Sequence, residues 1–567
     1  MKKILPVVLA FVFILLIGAA VVWVLLAERN KESTEYLNYE EVMELSDGEY
    51  TVALDNDLQE FKAIELDGRV YVHVNDLMEH INNRFYWDEN EQIFIYTKPT
   101  SVIKAYPDEA GYHVGEETIQ LDYVAVKLVD NETYIALDYA LQFFQSESEV
   151  YNSPNRVVIR TSWGAVDMVT TAEDTSIRYR GGVKSEILRD VTVGESLYLI
   201  ESLNEWSHVA TSDGYIGWIA NKYISETSTV TVEPPAFEAE EFTNISRDFK
   251  INLTWHQVMT ASANGELTTA LENTSGINVL SPTWFSFGDT EGTLKSIASQ
   301  EYVQTAHDRG IEVWALFSNE FPSDSSQVFD GTKTDQILAF TSKREQVVGQ
   351  IINYALEYGL DGINLDFEEI LAGGGDNYIQ FVRELSVQCR INNIVLSVDN
   401  YVPTYAAHYD YEEQGVFVDY VIIMGYDENV ESPGPVASIG FVEQGIKDTL
   451  AMVPNNKVIN AIPFYTRVWL TGDGDVSSNF SAGMSEARGY LTDKGITPEF
   501  GEETGVNYGE YVSEIDGNYY QIWLEDADSV TAKMKLIQQY ELAGVASWKL
   551  GLESGIEIWD IINSFLQ

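Results

Sequence analysis

Asp361-Gly-Ile-Asn-Leu-Asp-Phe-Glu368 is the stretch of sequence that decides the fold. Side chains alternate across a strand, so Ile, Leu and Phe fall on one face and Asn364, Asp366 and Glu368 on the other. Polar groups that point into a barrel are costly unless they hydrogen-bond to one another. The competing interpretation is the solvated face of an edge strand, but a closed barrel has no edges. The pattern therefore favours an active site.

Strand-like apolar runs recur on both sides of this stretch and alternate with amphipathic helical segments. The eight runs are Ile251–Trp255, Val279–Phe285, Glu312–Phe317, Gly362–Phe367, Ile394–Val398, Tyr420–Tyr426, Val458–Pro463 and Gly544–Trp548. Eight strand–helix repeats predict parallel strands closed into an α/β TIM barrel over residues 245–567. The active site of such a barrel lies at the C-terminal strand ends, where Glu368 falls.

Three further motifs lie at the ends of later predicted strands. Met424-Gly-Tyr-Asp427 ends the sixth, Ile462-Pro-Phe-Tyr-Thr-Arg-Val-Trp469 ends the seventh, and Trp548 ends the eighth. Each is weak alone, since Tyr426 also suits a packed aromatic and Arg467 a structural ion pair. Together with the octapeptide they resemble the DGxDxDxE, MxYD and PxYxRxW motifs of glycoside hydrolase family 18, the chitinase-like family. Asn364 departs from that pattern and removes one acid from the proton-sharing chain.

The resemblance covers about residues 249–567 and implies a retaining, substrate-assisted glycosidase that needs no metal or organic cofactor. It implies that Glu368 is the general acid and that Asp366 orients the 2-acetamido group and stabilises the oxazolinium intermediate. Tyr426 would bind the acetamido carbonyl, and Trp548 would form the floor of the sugar site. The remaining implied residues are Asp427, Met424, Arg467 and Tyr465 for substrate binding, and Asp361 and Asn364 for structural support.

The composition narrows the classes of partner. With 34 basic and 89 acidic residues in 567, the formal charge is -55, which excludes a basic nucleic-acid-binding surface and argues against anionic lipid as a ligand of the exterior part. The single cysteine, Cys389, cannot form an internal disulfide and is expected to be buried in a helix.

The N-terminus predicts a membrane segment. An apolar run from Ile4 to Ala27 follows Lys2 and Lys3 and is long enough to span a bilayer. We expect residues 1–27 to be an uncleaved anchor with the rest of the chain outside the cell. Secretion after cleavage near Gly18 is the alternative. Residues 28–36 are predicted to be a polar tether.

Two smaller regions separate the tether from the barrel. Residues 37–165 contain two similar strand–helix–hairpin segments and resemble the copper amine oxidase N-terminal-domain repeat, without any copper ligand cluster. Residues 172–225 are predicted to form a small β-barrel, and Trp206 with Gly217-Trp218 resembles the bacterial SH3-like domain. Those tryptophans suit either glycan binding or, preferably, the core. Residues 226–244 are predicted to be an extended linker.

The expected partner is therefore a polysaccharide that contains N-acetylglucosamine. An anchor and an SH3-like module favour peptidoglycan, with chitin oligomers as the alternative substrate. A non-catalytic glycan-binding protein on the same barrel is the rival from another class. Such lectins lose the acid at the position of Glu368, which is retained here.

Overall fold

The computed structural model describes residues 5–239, 241–322, 327–472 and 477–566. Contacts divide the chain into two compact units. The first comprises residues 1–85, 105–113 and 118–239, and the second comprises residues 86–104, 114–117 and 240–567. Lys2 and Lys3 lie outside the described residues.

The second unit contains a closed barrel of eight parallel strands, as predicted. Its strands are β1 Ile251–His256, β2 Val279–Phe287, β3 Glu312–Ser318, β4 Gly362–Asp366, β5 Val395–Asn400, β6 Tyr420–Met424, β7 Val458–Pro463 and β8 Gly544–Trp548. Each strand pairs with its neighbours in chain order, and β1 pairs with both β2 and β8, which closes the ring. Closure leaves no edge of the barrel exposed to solvent.

The barrel helices pack around the strands. The α-helices of this unit are Leu267–Ala270, Gln300–His307, Gly331–Leu338, Thr341–Tyr358, Gly375–Ile391, Tyr411–Phe417, Ile439–Leu450, Met484–Thr492, Ala527–Gln539 and Ile556–Leu566. Ile363, Leu365 and Phe367 belong to the apolar cluster between strands and helices, and Phe367 stacks on Phe381 with ring centroids 5.5 Å apart. Cys389 is buried in the helix Gly375–Ile391.

Short 3₁₀ turns and short strands lie in the segments that connect the barrel strands and helices. The 3₁₀ turns are Ala261–Glu266, Ala372–Gly374, Pro403–Tyr405, Ala407–Tyr409 and Asn455–Lys457, and the short strands are Leu294–Ser296, Glu320–Pro322 and Gln327–Phe329. An antiparallel five-stranded sheet is inserted between β7 and β8. Its strands are Tyr465–Thr471, Ser477–Gly483, Glu499–Gly501, Val506–Val512 and Tyr519–Leu524. Tyr465 and Arg467 therefore lie on the first strand of the insertion rather than on β7 itself.

Segment 86–104 belongs to the barrel unit although it lies far from the barrel in sequence. Three strands, Phe85–Asp88, Ile93–Thr97 and Val102–Ala105, pair in chain order. The last residue of the first strand and the turn after it cap the helix Thr341–Tyr358, whose own N-cap residue, Phe340, provides no side-chain hydrogen bond. Asp88 Oδ2 accepts from the Thr341 backbone N–H at 2.6 Å, and Glu91 Oε2 accepts from that of Ser342 at 2.7 Å.

The first unit contains two seven-stranded sheets. One consists of Glu49–Leu54, Asp57–Leu66, Arg69–His73, Val126–Val129, Glu132–Ala136, Glu147–Tyr151 and Arg156–Arg160. The other consists of Gly164–Thr170, Thr175–Arg178, Ile187–Val191, Ser196–Ser202, Trp206–Ala210, Ile216–Ala220 and Ser228–Val232. The strands Gly111–Val114 and Glu117–Gln120, the short helices Tyr39–Val42, Val74–Asp76 and Leu137–Leu141, the π-helix Leu77–Ile81 and the 3₁₀ turn Asn221–Tyr223 complete the elements that follow the N-terminal helix.

Two details of the second sheet differ from the sequence-based expectation. Ser228–Val232, within the predicted linker, pairs with Gly164–Thr170 because its alternating Thr and Val residues suit a strand. Trp206 and Trp218 are half-buried, and Trp218 stacks on His208 with centroids 4.7 Å apart. The core of this sheet is instead mainly aliphatic, so the preferred core role of the two tryptophans is wrong.

The N-terminal segment forms one long helix, Leu5–Asn30. Within it, Val8–Leu25 has a mean hydropathy of 3.0 and is long and apolar enough to cross a membrane, properties that a signal sequence can also have.

The predicted tether makes specific contacts with the second sheet. The Ser33 backbone N–H donates to the Val183 carbonyl at 2.7 Å, and the Tyr36 hydroxyl donates to Asp190 at 2.5 Å.

We expect Asp88→Ala to lower the free energy of unfolding of the barrel unit by about 1–2 kcal/mol, because it removes the carboxylate that caps the helix Thr341–Tyr358. Glu89→Ala, at the exposed neighbouring position, is the matched control and is expected to change stability by less than about 0.5 kcal/mol. Denaturant unfolding of both variants measures the difference. Equal stabilities would show that the cap does not support the barrel.

Candidate active site

The polar side chains of strand β4 face into the barrel and its mouth. All five residues of Gly362–Asp366 are buried, and Glu368 follows two residues later. A cavity of about 610 Å³ opens at the C-terminal ends of the strands. Its lining includes Asp366, Glu368, Tyr426 and Trp548, together with Met424, Asp427 and Tyr465. The structure thus brings seven of the ten sequence-predicted site residues to one cavity.

The main chain at Glu368 is held by a single side chain. The Glu368 backbone N–H donates to Asn319 Oδ1 at 2.8 Å, and Asn319 Nδ2 donates back to the Glu368 carbonyl at 2.7 Å. Asn319 directly follows β3 and is fully buried. This two-way clamp fixes the point at which the chain leaves β4, so the Glu368 carboxyl has a defined position at the rim.

The Glu368 carboxyl is largely surrounded by protein. Burial raises the pKa of Glu368, and the negative charges of Asp427, Glu369 and Glu320 raise it further. The Tyr401 hydroxyl opposes this rise in pKa by donating to Glu368 Oε2 at 2.5 Å, which favours the ionised form. A carboxyl with these surroundings is suited to donate a proton near neutral pH.

Asp366 is more deeply enclosed than Glu368, with 8% of its surface exposed. Its Oδ1 atom has no hydrogen-bond partner among the described residues. Burial raises the pKa of Asp366 well above its ordinary value, and the nearby carboxyls of Glu368, Asp399 and Glu320 add to the effect. A buried oxygen without a partner, next to a cavity, is available to a ligand.

Asn364 and Asp361 have contacts that differ from those of the cavity residues. Asn364 Oδ1 accepts from Trp255 Nε1 and Ser281 Oγ at 2.8 and 2.9 Å. Asp361 lies at the start of β4, where its Oδ2 accepts from the Val313 backbone N–H at 2.8 Å. Neither residue lines the cavity. Both link strands of the barrel.

Asp427 is the centre of an ion pair beside the cavity. Its Oδ1 accepts from the Tyr465 hydroxyl at 2.5 Å and from Arg467 Nη2 at 2.6 Å. Arg467 Nη1 also donates to Asn479 at 3.2 Å. The inserted sheet is therefore connected through its first strand to the loop after β6. Arg467 does not line the cavity, and its contacts are those of an ion-pair partner.

Aromatic rings form part of the cavity wall. Trp548 at the end of β8 packs against Trp255 with ring centroids 5.7 Å apart. Tyr426 contacts Tyr465 edge to face at 6.2 Å. Burial raises the pKa of the Tyr426 phenol above its ordinary range, so the hydroxyl remains a hydrogen-bond donor at neutral pH. Flat apolar rings beside polar groups are typical of a site for sugars.

Sequence reasoning missed four residues of this site: Asn319, Glu320, Asp399 and Tyr401. Each lies at or just past the end of β3 or β5. A usable signal was present, because Asp399-Asn-Tyr401 places polar groups at the end of an apolar run, as the octapeptide does. Asn319-Glu320 follows its strand in the same way.

The fold and the paired carboxyls define a barrel glycosidase. Residues 324–553 match the model of the family described as glycosyl hydrolases family 18, and residues 53–159 match that of the copper amine oxidase N-terminal domain. The C-terminal barrel is therefore a family 18 glycosidase domain, and a copper amine oxidase N-terminal-like domain precedes it.

Individual relatives agree with this assignment. The chain is 27% identical over 287 residues to the uncharacterized glycosylase YvbX of Bacillus subtilis, covering 49% of this chain and 82% of that protein. It is 26% identical over 226 residues to the cortical fragment-lytic enzyme of B. subtilis, covering 37% of this chain and 51% of that protein. A chitinase structure from Chromobacterium violaceum shares the fold, with a TM-score of 0.50 and 22% identity over 56% of this chain and 99% of that chain.

The contact between Tyr401 and Glu368 generates a pH prediction. Tyr401→Phe removes the donor that favours ionised Glu368, so the pKa of Glu368 is expected to rise further. The alkaline limb of kcat/KM, where a general acid loses its proton, should then move to higher pH. Profiles measured on an N-acetylglucosamine oligomer with a chromogenic leaving group test this shift.

Tyr409→Phe is the control for that profile. It removes a buried hydroxyl that donates to the Phe367 carbonyl at 2.9 Å, so it is expected to cost stability without moving the limb. An alkaline limb that stays in place in Tyr401→Phe, or moves equally in Tyr409→Phe, contradicts the tuning role of Tyr401.

Proposed function

We propose that this protein hydrolyses the bond on the reducing side of β-linked N-acetylglucosamine in cell-wall glycan, with peptidoglycan as the substrate. The observation that carries the proposal is the pair Asp366 and Glu368. Asp366 ends strand β4, Glu368 follows two residues later, and both border the same cavity. The name of the cortical fragment-lytic relative supports a wall substrate. The predicted exposure of the chain outside the cell is consistent with it.

In the proposed mechanism Glu368 donates its proton to the glycosidic oxygen. The raised pKa of Glu368 keeps the carboxyl protonated until it transfers the proton to the departing oxygen. In family 18 the nucleophile is the acetamido oxygen of the substrate rather than a second carboxylate. Asp366 would hold the acetamido N–H through its unpartnered oxygen and balance the positive charge of the oxazolinium. Glu368, now ionised, would then take a proton from the attacking water.

The remaining residues would position the sugar. Tyr426 retains its proton and is placed to donate to the acetamido carbonyl, and Trp548 supplies a flat surface below the ring. The ion pair of Asp427 with Arg467 fixes the loop after β6 that carries Tyr426. Met424 completes the apolar wall. The requirement for an acetamido group restricts the donor sugar to N-acetylglucosamine or a close relative.

We also propose that the helix Leu5–Asn30 anchors the protein in the cell membrane, with the barrel on the outer side. Its apolar stretch is long enough for one span. Labelling of the intact chain in cells distinguishes an anchor from a cleaved signal, since only the anchored form retains its N-terminus in the membrane fraction.

Glu368→Gln is expected to lower kcat on purified peptidoglycan by at least about 10²–10⁴-fold and to leave glycan binding intact, because the amide cannot donate the required proton. Glu357→Gln is the matched control, since Glu357 is an exposed carboxylate that does not line the cavity. Mass spectrometry of the fragments should show new reducing ends that carry N-acetylglucosamine. Fragments ending in N-acetylmuramic acid would instead reveal a muramidase, and cleavage of chitin oligomers alone a chitinase.

Retention of configuration provides a separate test of the mechanism. Participation of the acetamido group inverts the anomeric carbon twice, so the first product formed should be the β-anomer. Proton NMR during the early phase of hydrolysis, before mutarotation, detects it. Initial release of the α-anomer contradicts the substrate-assisted route even if turnover is observed.

A further inference from the structure

Strand β5 brings a third carboxyl next to the pair on β4. The two strands run parallel, and their paired register ends with Asn364 opposite Ser397 and Leu365 opposite Val398. Asp366 and Asp399 are the next residues of the two strands. Asp399 is 1% exposed and lines the same cavity as Asp366 and Glu368. Sequence reasoning assigned no role to it.

Asp399 is hydrogen-bonded to Asn364, the amide that stands where the family motif has an acid. Asn364 Nδ2 donates to Asp399 Oδ1 at 2.7 Å and to Ser397 Oγ at 3.1 Å. Since Asn364 Oδ1 already accepts two hydrogen bonds, the hydrogen-bonding capacity of this amide is filled. Asn364 has no proton to exchange, so the group in this network that can accept one is the Asp399 carboxyl.

We propose that Asp399 and Asp366 hold one proton between them, and that Asp399 is the positioning residue that receives this proton when Asp366 must be charged. Asp399 thereby replaces, from the neighbouring strand, the acid that is absent at residue 364. The inference rests on the proposed function only for the catalytic use of this proton. The sharing of the proton itself is inferred from the burial of the two carboxyls and from their positions near the ends of neighbouring strands.

Two adjacent carboxyls enclosed in protein do not ionise together, because each charge is poorly solvated and repels the other. Burial raises the pKa of both Asp366 and Asp399 well above the ordinary value. The N–H of Asn364 favours the ionised form of Asp399, so in the resting site the proton belongs on Asp366. The other titratable groups that face the pair are Glu368, Glu320, Tyr378, Tyr409 and Tyr426.

The proton transfer is balanced within the pair. As positive charge develops on the acetamido group, the O–H bond of Asp366 breaks and an O–H bond forms on Asp399. Asp366 is then the carboxylate that faces the cation, and its Oδ1 is available because it has no partner among the described residues. When the intermediate is hydrolysed, the proton returns. No charge enters or leaves the enclosed site during this exchange.

Infrared-monitored pH titration of the full chain tests the sharing directly. The wild type is expected to show two separate protonation steps for the pair, and Asp366→Asn and Asp399→Asn a single step between them. Asparagine at 399 still accepts from Asn364, so the network remains hydrogen-bonded. A single wild-type step at the pH of the variants overturns the proposal.

Kinetics test the catalytic use of the proton. We expect Asp399→Asn to lower kcat by roughly 10²-fold with KM nearly unchanged. The acid limb of the profile should move to higher pH, because the first pKa of a proton-sharing pair lies below that of a single carboxyl. A role limited to structure would leave both kcat and the limb as in the wild type, since every hydrogen bond of Asn364 is retained.

A double variant separates loss of the acid from loss of the fold. Asn364→Asp with Asp399→Asn exchanges the two side chains, so the hydrogen bond between them is kept with its direction reversed. It is expected to recover most of the lost kcat and to return the acid limb toward its wild-type position. No recovery in a variant with wild-type thermal stability overturns the role of Asp399. Absence of wild-type turnover, with the two-step titration intact, instead refutes only the proposed function.

Discussion

Enclosing carboxyl groups inside a closed ring of strands is the constraint on which the rest of this site depends. A charge in such a place is poorly solvated, so each carboxyl must share a proton, accept a hydrogen bond or border an opening. Asp399 accepts from Asn364, Glu368 accepts from Tyr401, and Asp366 borders the cavity. The same enclosure raises the pKa values that proton transfer requires.

The positions of these groups come from elements that differ in rigidity. Asp366 and Asp399 belong to paired strands, where neighbouring hydrogen bonds fix the backbone. Glu368 lies just beyond its strand, and the clamp by Asn319 compensates for the lost pairing. Tyr465 is contributed by the inserted sheet and is joined to the loop after β6 through Asp427. The two carboxyls proposed to share a proton are thus held by strand pairing, whereas Glu368 depends on a side-chain clamp.

The sequence predicts the strands well because each is an apolar run between amphipathic segments, and four of them also end in a motif. The inward polar face of β4 follows from alternation alone. It does not predict which residues meet across strands, since register depends on the whole barrel. The contacts of Asp399 and Tyr401 with residues of β4 could not be predicted for this reason, although the polar residues after the apolar run are visible in the sequence. Segment 86–104 was missed because capping of Thr341–Tyr358 by Asp88 joins residues more than 250 positions apart, which no local pattern indicates.

The contact between residues 364 and 399 also restricts which side chains the two positions can carry. An Asp at both positions would set two acceptors 2.7 Å apart, an arrangement tolerated only if a further proton is held between them. An Asn at both would keep the hydrogen bond but remove the acid. One amide and one carboxyl satisfy both requirements in either order. With Asn364 in place of the motif's acid, Asp399 is the acid of this hydrogen-bonded pair.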